Sequence, residues 1–162
     1  MAGITFKDGD EYLEKLAKLD YRLADDVIGR AVYEGAKIVT DEIAERTQNV
    51  KTDESWGSPG NLKKGPKKTE LQAVKKGLGI APARNDDGFI NVKIGFNGYD
   101  KIPTKRWPRG RPVAMLARSI DRGTSFMQAN PFVKKAVAAA KAKAVEKMKE
   151  TVDEEIEKIM KG

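Results

Sequence analysis

The stretch from Ser119 to Val133 constrains this chain more than any other. It reads Ser-Ile-Asp-Arg-Gly-Thr-Ser-Phe-Met-Gln-Ala-Asn-Pro-Phe-Val and joins an apolar segment, Val113 to Ile120, to the longest helical pattern in the protein. Gly123 is the expected break, because glycine takes positive φ without steric cost. Thr124 and Ser125 are placed to hydrogen-bond the turn locally. Asn130 reads as an N-cap and Pro131 as the first helical residue, where the missing proline N–H costs nothing. Phe132 then starts an apolar stripe and is expected as a core anchor under the turn. Phe126 and Met127 lie in the spacer, where an exposed apolar pair marks an interface. Two readings of Asp121 stand side by side: a local hydrogen bond or ion pair, with Arg118 or Arg122 as partner, or a contact across a subunit interface.

The periodicities around this stretch give the fold class. The last helix is expected over about 131–160, with Val133, Val137, Ala140, Ala144, Met148, Val152, Ile156 and Ile159 as its apolar positions. About 30 residues at 1.5 Å each reach roughly 45 Å. Near the other terminus, Asp8 or Asp10 caps a helix through Tyr12, Leu13, Leu16 and Leu19. A stronger pattern follows through Leu23, Val27, Ile28, Ala31, Val32, Ile38, Val39 and Ile43, ending near Arg46 to Asn49. Ile4-Thr5-Phe6 reads as a minor edge strand. Thr69 caps a short helix through Leu71, Ala73 and Val74, stopped by Gly77. Leu78 to Ala83 reads as a strand, Asn85 to Gly88 as a turn, and Phe89 to Phe96 as the clearest strand, with Ile90, Val92, Ile94 and Phe96 on one face. The Asp-Gly pair between the two strands argues a hairpin. Val113 to Ile120 is expected as a helix packed on the sheet. The class is therefore α+β, a small antiparallel sheet packed by N-terminal helices and a long C-terminal helix. At 162 residues a single domain over 1–162 is expected.

What the chain lacks narrows its chemistry. It contains no histidine and no cysteine. The usual zinc ligands, the Ser-His-Asp and Cys-His nucleophile systems and the commonest general base near neutral pH are thereby removed. The acidic pairs Asp25-Asp26 and Asp153 to Glu155 fall on consecutive helical positions, so their side chains diverge. Asp86-Asp87 belongs to a turn. Gly77-x-Gly79 lacks the third glycine and the βαβ setting of a dinucleotide site. No enzymatic activity, cofactor, metal or small-molecule substrate is expected. No run approaches the roughly 18 apolar residues of a membrane span, and Met1 to Asp8 shows no basic-then-apolar leader.

The net charge of +7 and a pI near 9.5 suit a nucleic-acid partner or an acidic protein surface. The helical pattern is lost over about 48–68, where Asp53 to Asn61 carries turn chemistry and Lys63, Lys64, Lys67 and Lys68 form a basic run. Two readings of this segment stand level, a contact arm with Trp56 as an apolar anchor and a solvated flexible loop. Pro108-Arg109-Gly110-Arg111-Pro112 matches the core of an AT-hook, in which an Arg-Gly-Arg unit lies along a narrow minor groove. Arg109 and Arg111, with the four lysines, are the candidate contacts to DNA. The competing reading is a basic turn or a subunit contact.

Asp121-x-Gly123-Thr124-Ser125, a short spacer, Pro131-Phe132 and a long alanine- and lysine-rich helix resemble the small neck and tail-completion proteins of long-tailed bacteriophages and prophages. Their motif reads acidic-x-Gly-Thr-Ser, then Pro-Phe. More weakly, the order of a long N-terminal helical region, a central β pair and a C-terminal helix is similar over nearly the whole chain. The Pro-x-x-Thr-Gly-x-Leu segment that many relatives carry near 48–68 is missing here, so the resemblance assigns that loop no role. What the resemblance implies is a structural virion protein, assembled in the host cytoplasm. It would complete the head–tail joint as a homo-oligomeric ring, a hexamer being one form, between connector and tail proteins. Asp121, Gly123, Thr124, Ser125, Phe126, Met127, Pro131 and Phe132 would then hold the assembly interface. On charge alone, and not from the resemblance, Lys63, Lys64, Lys67, Lys68, Arg109 and Arg111 are the candidate contacts to DNA passing through such a ring, without reading its sequence.

Overall fold

The computed structural model describes residues 2–5 and 21–161. In chain order the described elements are β1 (Ala2–Thr5), α1 (Tyr21–Gln48), α2 (Lys68–Gly77), β2 (Leu78–Ile80), β3 (Arg84–Asp86), β4 (Phe89–Phe96), α3 (Val113–Arg122) and α4 (Phe132–Lys161). This is an α+β arrangement, a small antiparallel sheet with helices packed around it. The helix expected over Asp8 to Leu19 lies outside the described residues.

The sheet is built around β4, whose Val92 and Ile94 are buried. β1 runs antiparallel along one edge, Ala2 opposite Ile94 and Thr5 opposite Asn91. The other edge is shared by β2 and β3. Asn91 also faces Arg84 of β3, and the Ala81 N–H donates to the Lys93 carbonyl at 2.8 Å. From Ala81 to Arg84 this edge advances three residues while β4 advances two, from Lys93 to Asn91. The extra residue is a bulge, and it carries Pro82, which has no N–H to offer a ladder. The strand expected over Leu78 to Ala83 is thus split, and the expected turn shrinks to Asp87-Gly88. Both take positive φ, 55° and 88°, as a two-residue hairpin loop matched to strand twist requires. The Asn85 carboxamide oxygen accepts the Gly88 N–H at 2.9 Å.

Two compact units make up the fold. The described parts of 1–40, 80–94 and 140–162 form one, and Asp41–Gly79 with Gly95–Ala139 form the other. In the first, α1 and α4 pack antiparallel: Arg30 pairs with Glu155, and Gly35 meets Ala144 and Met148. Val27, Ala31, Met148 and Val152 form its core, with Ile28, Ile156 and Ile159 packed against them. Val27, Met148 and Val152 each stabilise the fold by about 1.5–3 kcal/mol when fully buried. A Cβ on Gly35 would overlap the Met148 side chain, so the glycine sets how closely the helices approach. In the second unit α2 packs on α3, with Leu71 and Val74 buried from one helix and Val113, Leu116, Ala117 and Ile120 from the other.

The buried apolar positions of α4 are Phe132, Ala136, Ala140, Ala144, Met148 and Val152, one every fourth residue. At 100° per residue such a stripe drifts about 40° per step. It starts on Phe132, as expected, and continues on Ala136, whereas the expected Val133 and Val137 are only partly buried. α2 also differs at its start. Thr69 is not its cap. The Glu70 carboxylate accepts the Lys67 N–H and the Glu54 carboxylate accepts the Lys68 N–H, both at 2.9 Å. Two acidic groups there suit the positive end of the helix dipole.

Candidate functional site

The motif that links α3 to α4 forms one built corner. Gly123 ends α3 at φ 76° and ψ 171°, a backbone region that is essentially reserved for glycine. Its N–H donates to the Ser119 carbonyl at 2.8 Å. A Cβ there would stand 2.8 Å from the Ala129 nitrogen and 3.1 Å from the Ala129 Cα. The Thr124 hydroxyl accepts the N–H groups of Phe126 and Met127, each at 3.1 Å, and Thr124 N–H returns to the Met127 carbonyl at 2.9 Å. Ser125 is exposed.

Asp121 makes its hydrogen bonds to backbone N–H groups and not to Arg118 or Arg122. Its carboxylate reaches across the corner and accepts the N–H groups of Val133 at 3.0 Å and Lys134 at 3.3 Å. These are orphan donors of the first turn of α4, and the negative charge sits at the positive end of that helix. Asn130 is therefore not the N-cap. Its side chain donates to the carbonyls of Lys64 at 3.2 Å and Gln128 at 3.3 Å. Pro131 stands just before the first helical residue, and its carbonyl accepts the Lys135 N–H. Phe132 is the anchor, 4% exposed and set edge-on to Phe96 with ring centroids 6.2 Å apart. The spacer pair divides. Met127 is buried, while Phe126 is 52% exposed.

The loop over 48–68 is bonded to this corner. Lys63 N–H donates to the Phe126 carbonyl at 3.0 Å, and Gln128 N–H to the Lys63 carbonyl at 2.9 Å. Gly57 lies so close to the Phe126 carbonyl that a Cβ has no room. Ser58 and Asn61 exchange both backbone hydrogen bonds, at 3.0 and 2.9 Å, which folds 57–62 into a tight hairpin. Asp53 ties the base of the loop by accepting the N–H groups of Ser55 at 2.9 Å and Lys64 at 2.8 Å. The Ser55 hydroxyl, followed by the Lys64 and Ser55 N–H groups, holds its carboxyl down at about 2. Trp56, 87% exposed, stands out from this fixed segment with the Lys67 ammonium 4.3 Å from its ring centre. Lys64 and Lys68 are exposed, and Lys63 and Lys67 partly so.

Arg109 and Arg111 part company. Arg109 is exposed. The Arg111 guanidinium pairs with Glu70 and Asp100, both at 2.8 Å, and the Asp100 side chain is fully buried. Burial raises the Asp100 carboxyl, but the N–H groups of Ile102 and Arg111 and the guanidinium outweigh it and hold the carboxyl below its usual range. Gly110 is buried at φ 96° inside a turn where Asp100 N–H reaches the Arg111 carbonyl at 3.0 Å. The Arg-Gly-Arg unit is folded shut around a carboxylate pair, not extended along a groove, so Arg111 is withdrawn as a DNA contact.

Compared with protein-family models, curated proteins and solved structures, the chain matches none.

The two acidic runs that diverge within their own helices do meet across helices. Asp25, Asp26, Glu154 and Glu155 line one cleft of about 770 Å³ together with Arg30 and Tyr33. Two of its carboxylates are held by neighbours: Glu155 by Arg30 at 2.7 Å and Asp25 by the Asn85 carboxamide at 3.1 Å. Lys158 first, then Arg30, hold the Glu155 carboxyl below its usual range. Among the described residues no three His, Cys, Asp or Glu side chains are grouped to hold a metal ion, and no helix is long and apolar enough to cross a membrane. Neither the Arg111–Asp100–Glu70 group nor the Asp121 cap was foreseen from sequence. Asp100 and Glu70 lie 11 and 41 positions from Arg111 with no periodic signal to join them.

Proposed function

We propose that this protein is a structural component of the head–tail joint of a tailed bacteriophage or prophage, acting by protein–protein assembly and not by catalysis. The observation that carries the reading is the α3–α4 corner. Asp121, Gly123, Thr124, Pro131 and Phe132, the residues that resemble the neck-protein motif, are all used to fix one turn between two helices. Such a turn presents Phe126 outward on a rigid base. In this reading the protein is a virion component that forms a homo-oligomeric ring between connector and tail proteins. A ring that closes uses a head-to-tail interface, with different patches meeting. The exposed Lys64, Lys68 and Arg109 would give nonspecific attraction to passing DNA; specific duplex recognition has lost Arg111.

The test is electron microscopy of particles made after deletion of this gene from its parent phage or prophage. Separate filled heads and free tails are the expected result. Normally joined particles would overturn the reading.

A further inference from the structure

The loop over 48–68 is more firmly tied than a passive connection requires, and it holds out the most exposed large apolar side chain among the described residues. Trp56 is 87% exposed, Phe126 52% and Leu62 40%. Trp56 directly precedes the 57–62 hairpin, Leu62 ends it, and Phe126 lies in the turn joined to it by the Lys63 and Met127 backbone pairing. The segment 51–68 carries five lysines and two carboxylates. Both carboxylates are spent on backbone N–H groups, Asp53 on Ser55 and Lys64, Glu54 on Lys68. Both keep their negative charge, and the five lysines still outnumber them, so the segment carries a net positive charge. An aromatic centre with a charged rim has the composition of a protein-interface hot spot. Fixing the segment beforehand lowers the ordering cost of association.

Resting on the joint reading above, we infer that the Trp56–Leu62–Phe126 surface, with Lys64 and Lys68 at its rim, docks an acidic face of a neighbouring protein in the joint. The partner supplies an apolar recess for the indole and carboxylates for the lysines. Charge complementarity selects its sign and speeds the encounter. A duplex offers phosphates to the lysines but nothing to Leu62 and Phe126, which disfavours DNA as the occupant.

The experiment uses filled heads and free tails purified from the deletion phage. Purified protein is added, and its co-sedimentation with each particle and the yield of joined particles are measured. Wild type is expected to bind one of the two particles, less tightly as salt rises. Trp56→Ala should weaken that binding at least about tenfold, and Trp56→Phe should keep most of it. Lys64→Glu with Lys68→Glu should abolish it at low salt. Circular dichroism and melting should be unchanged in all three, since these side chains are exposed. Undiminished binding by Trp56→Ala and by the lysine variant would overturn the inference and leave the joint role standing. Joining of heads and tails without any added protein would overturn both. If Trp56→Ala instead abolished self-association in sedimentation, or binding to a free duplex, the occupant would be a second copy or DNA, and the inference would equally fall.

Discussion

Replacing Arg111 by alanine leaves the Asp100 carboxylate fully buried with the N–H groups of Ile102 at 3.0 Å and residue 111 at 2.8 Å but with no cation. Glu70, 13% exposed at its side chain, loses the same partner. Removing one member of a buried ion pair costs about 3–5 kcal/mol, mainly because the remaining charge is stranded. Arg111 is itself 25% exposed, so water recovers part of this and about 2–4 kcal/mol remains. At roughly 2–4 °C per kcal/mol for a chain of this size, melting should fall by about 5–15 °C. The assay is equilibrium urea unfolding at pH 7, with Arg109→Ala as the control. Arg109 is exposed, and its loss should change stability by less than about 0.5 kcal/mol. In a cycle with Asp100→Asn, the double variant should lose at least about 1 kcal/mol less than the sum of the two single losses. Arg111→Ala as stable as Arg109→Ala would refute the account of the 100–111 turn.

Gly123→Ala should destabilise by about 1–3 kcal/mol from backbone strain, and Gly123→Val by more, because Ala129 crowds the new Cβ; denaturant midpoints within error of wild type would mean the turn is not built as described. Asp121→Ala should cost about 1 kcal/mol through the lost cap on α4, and Asp121→Asn, which keeps an acceptor, less; equal losses in the two variants, measured by thermal melting, would count against capping. The Asp53 carboxyl, held at about 2 against an ordinary 3.8, contributes stability that is fully present above the ordinary value and disappears as pH falls toward 2. Asp53→Asn should therefore flatten the acid limb of the stability–pH curve between about 4 and 2, and an unchanged limb would show that other carboxylates set it.

Elements with a strong local period were legible. α1 was readable from Val27, Ala31, Val32, Val39 and Ile43, and all five are buried. The hairpin was readable from Asp87-Gly88, whose two positive φ values are a local demand. The corner was readable in outline from Gly123 and from Phe132. What escaped depends on groups distant in sequence. Glu54 at the start of α2 and Asp121 at the start of α4 lie 14 and 12 residues from the N–H groups they satisfy, so the nearer Thr69 and Asn130 looked like better caps; Glu70, three residues from Lys67, was a local signal that was missed. Arg111 looked like a DNA contact because a five-residue motif carries no information about Asp100 and Glu70. The four-residue spacing of the α4 stripe, which runs from the expected Phe132 to Ala136, let Val133 and Val137 pass for core positions when they are only partly buried.

The Asp121 cap also bears on the order in which the chain assembles. It joins residues 12 apart, and loops of about that length close in roughly 10–100 ns. The pairing of β1 with β4 must bring Ala2 to Ile94, an encounter with a larger entropy of closure. Closing the short loop supplies the first turn of α4 with acceptors for its free N–H groups, the turn that costs most to nucleate. The longest described helix is thus expected to grow from a preformed seed at its N-terminal end while the edge strand is still unpaired.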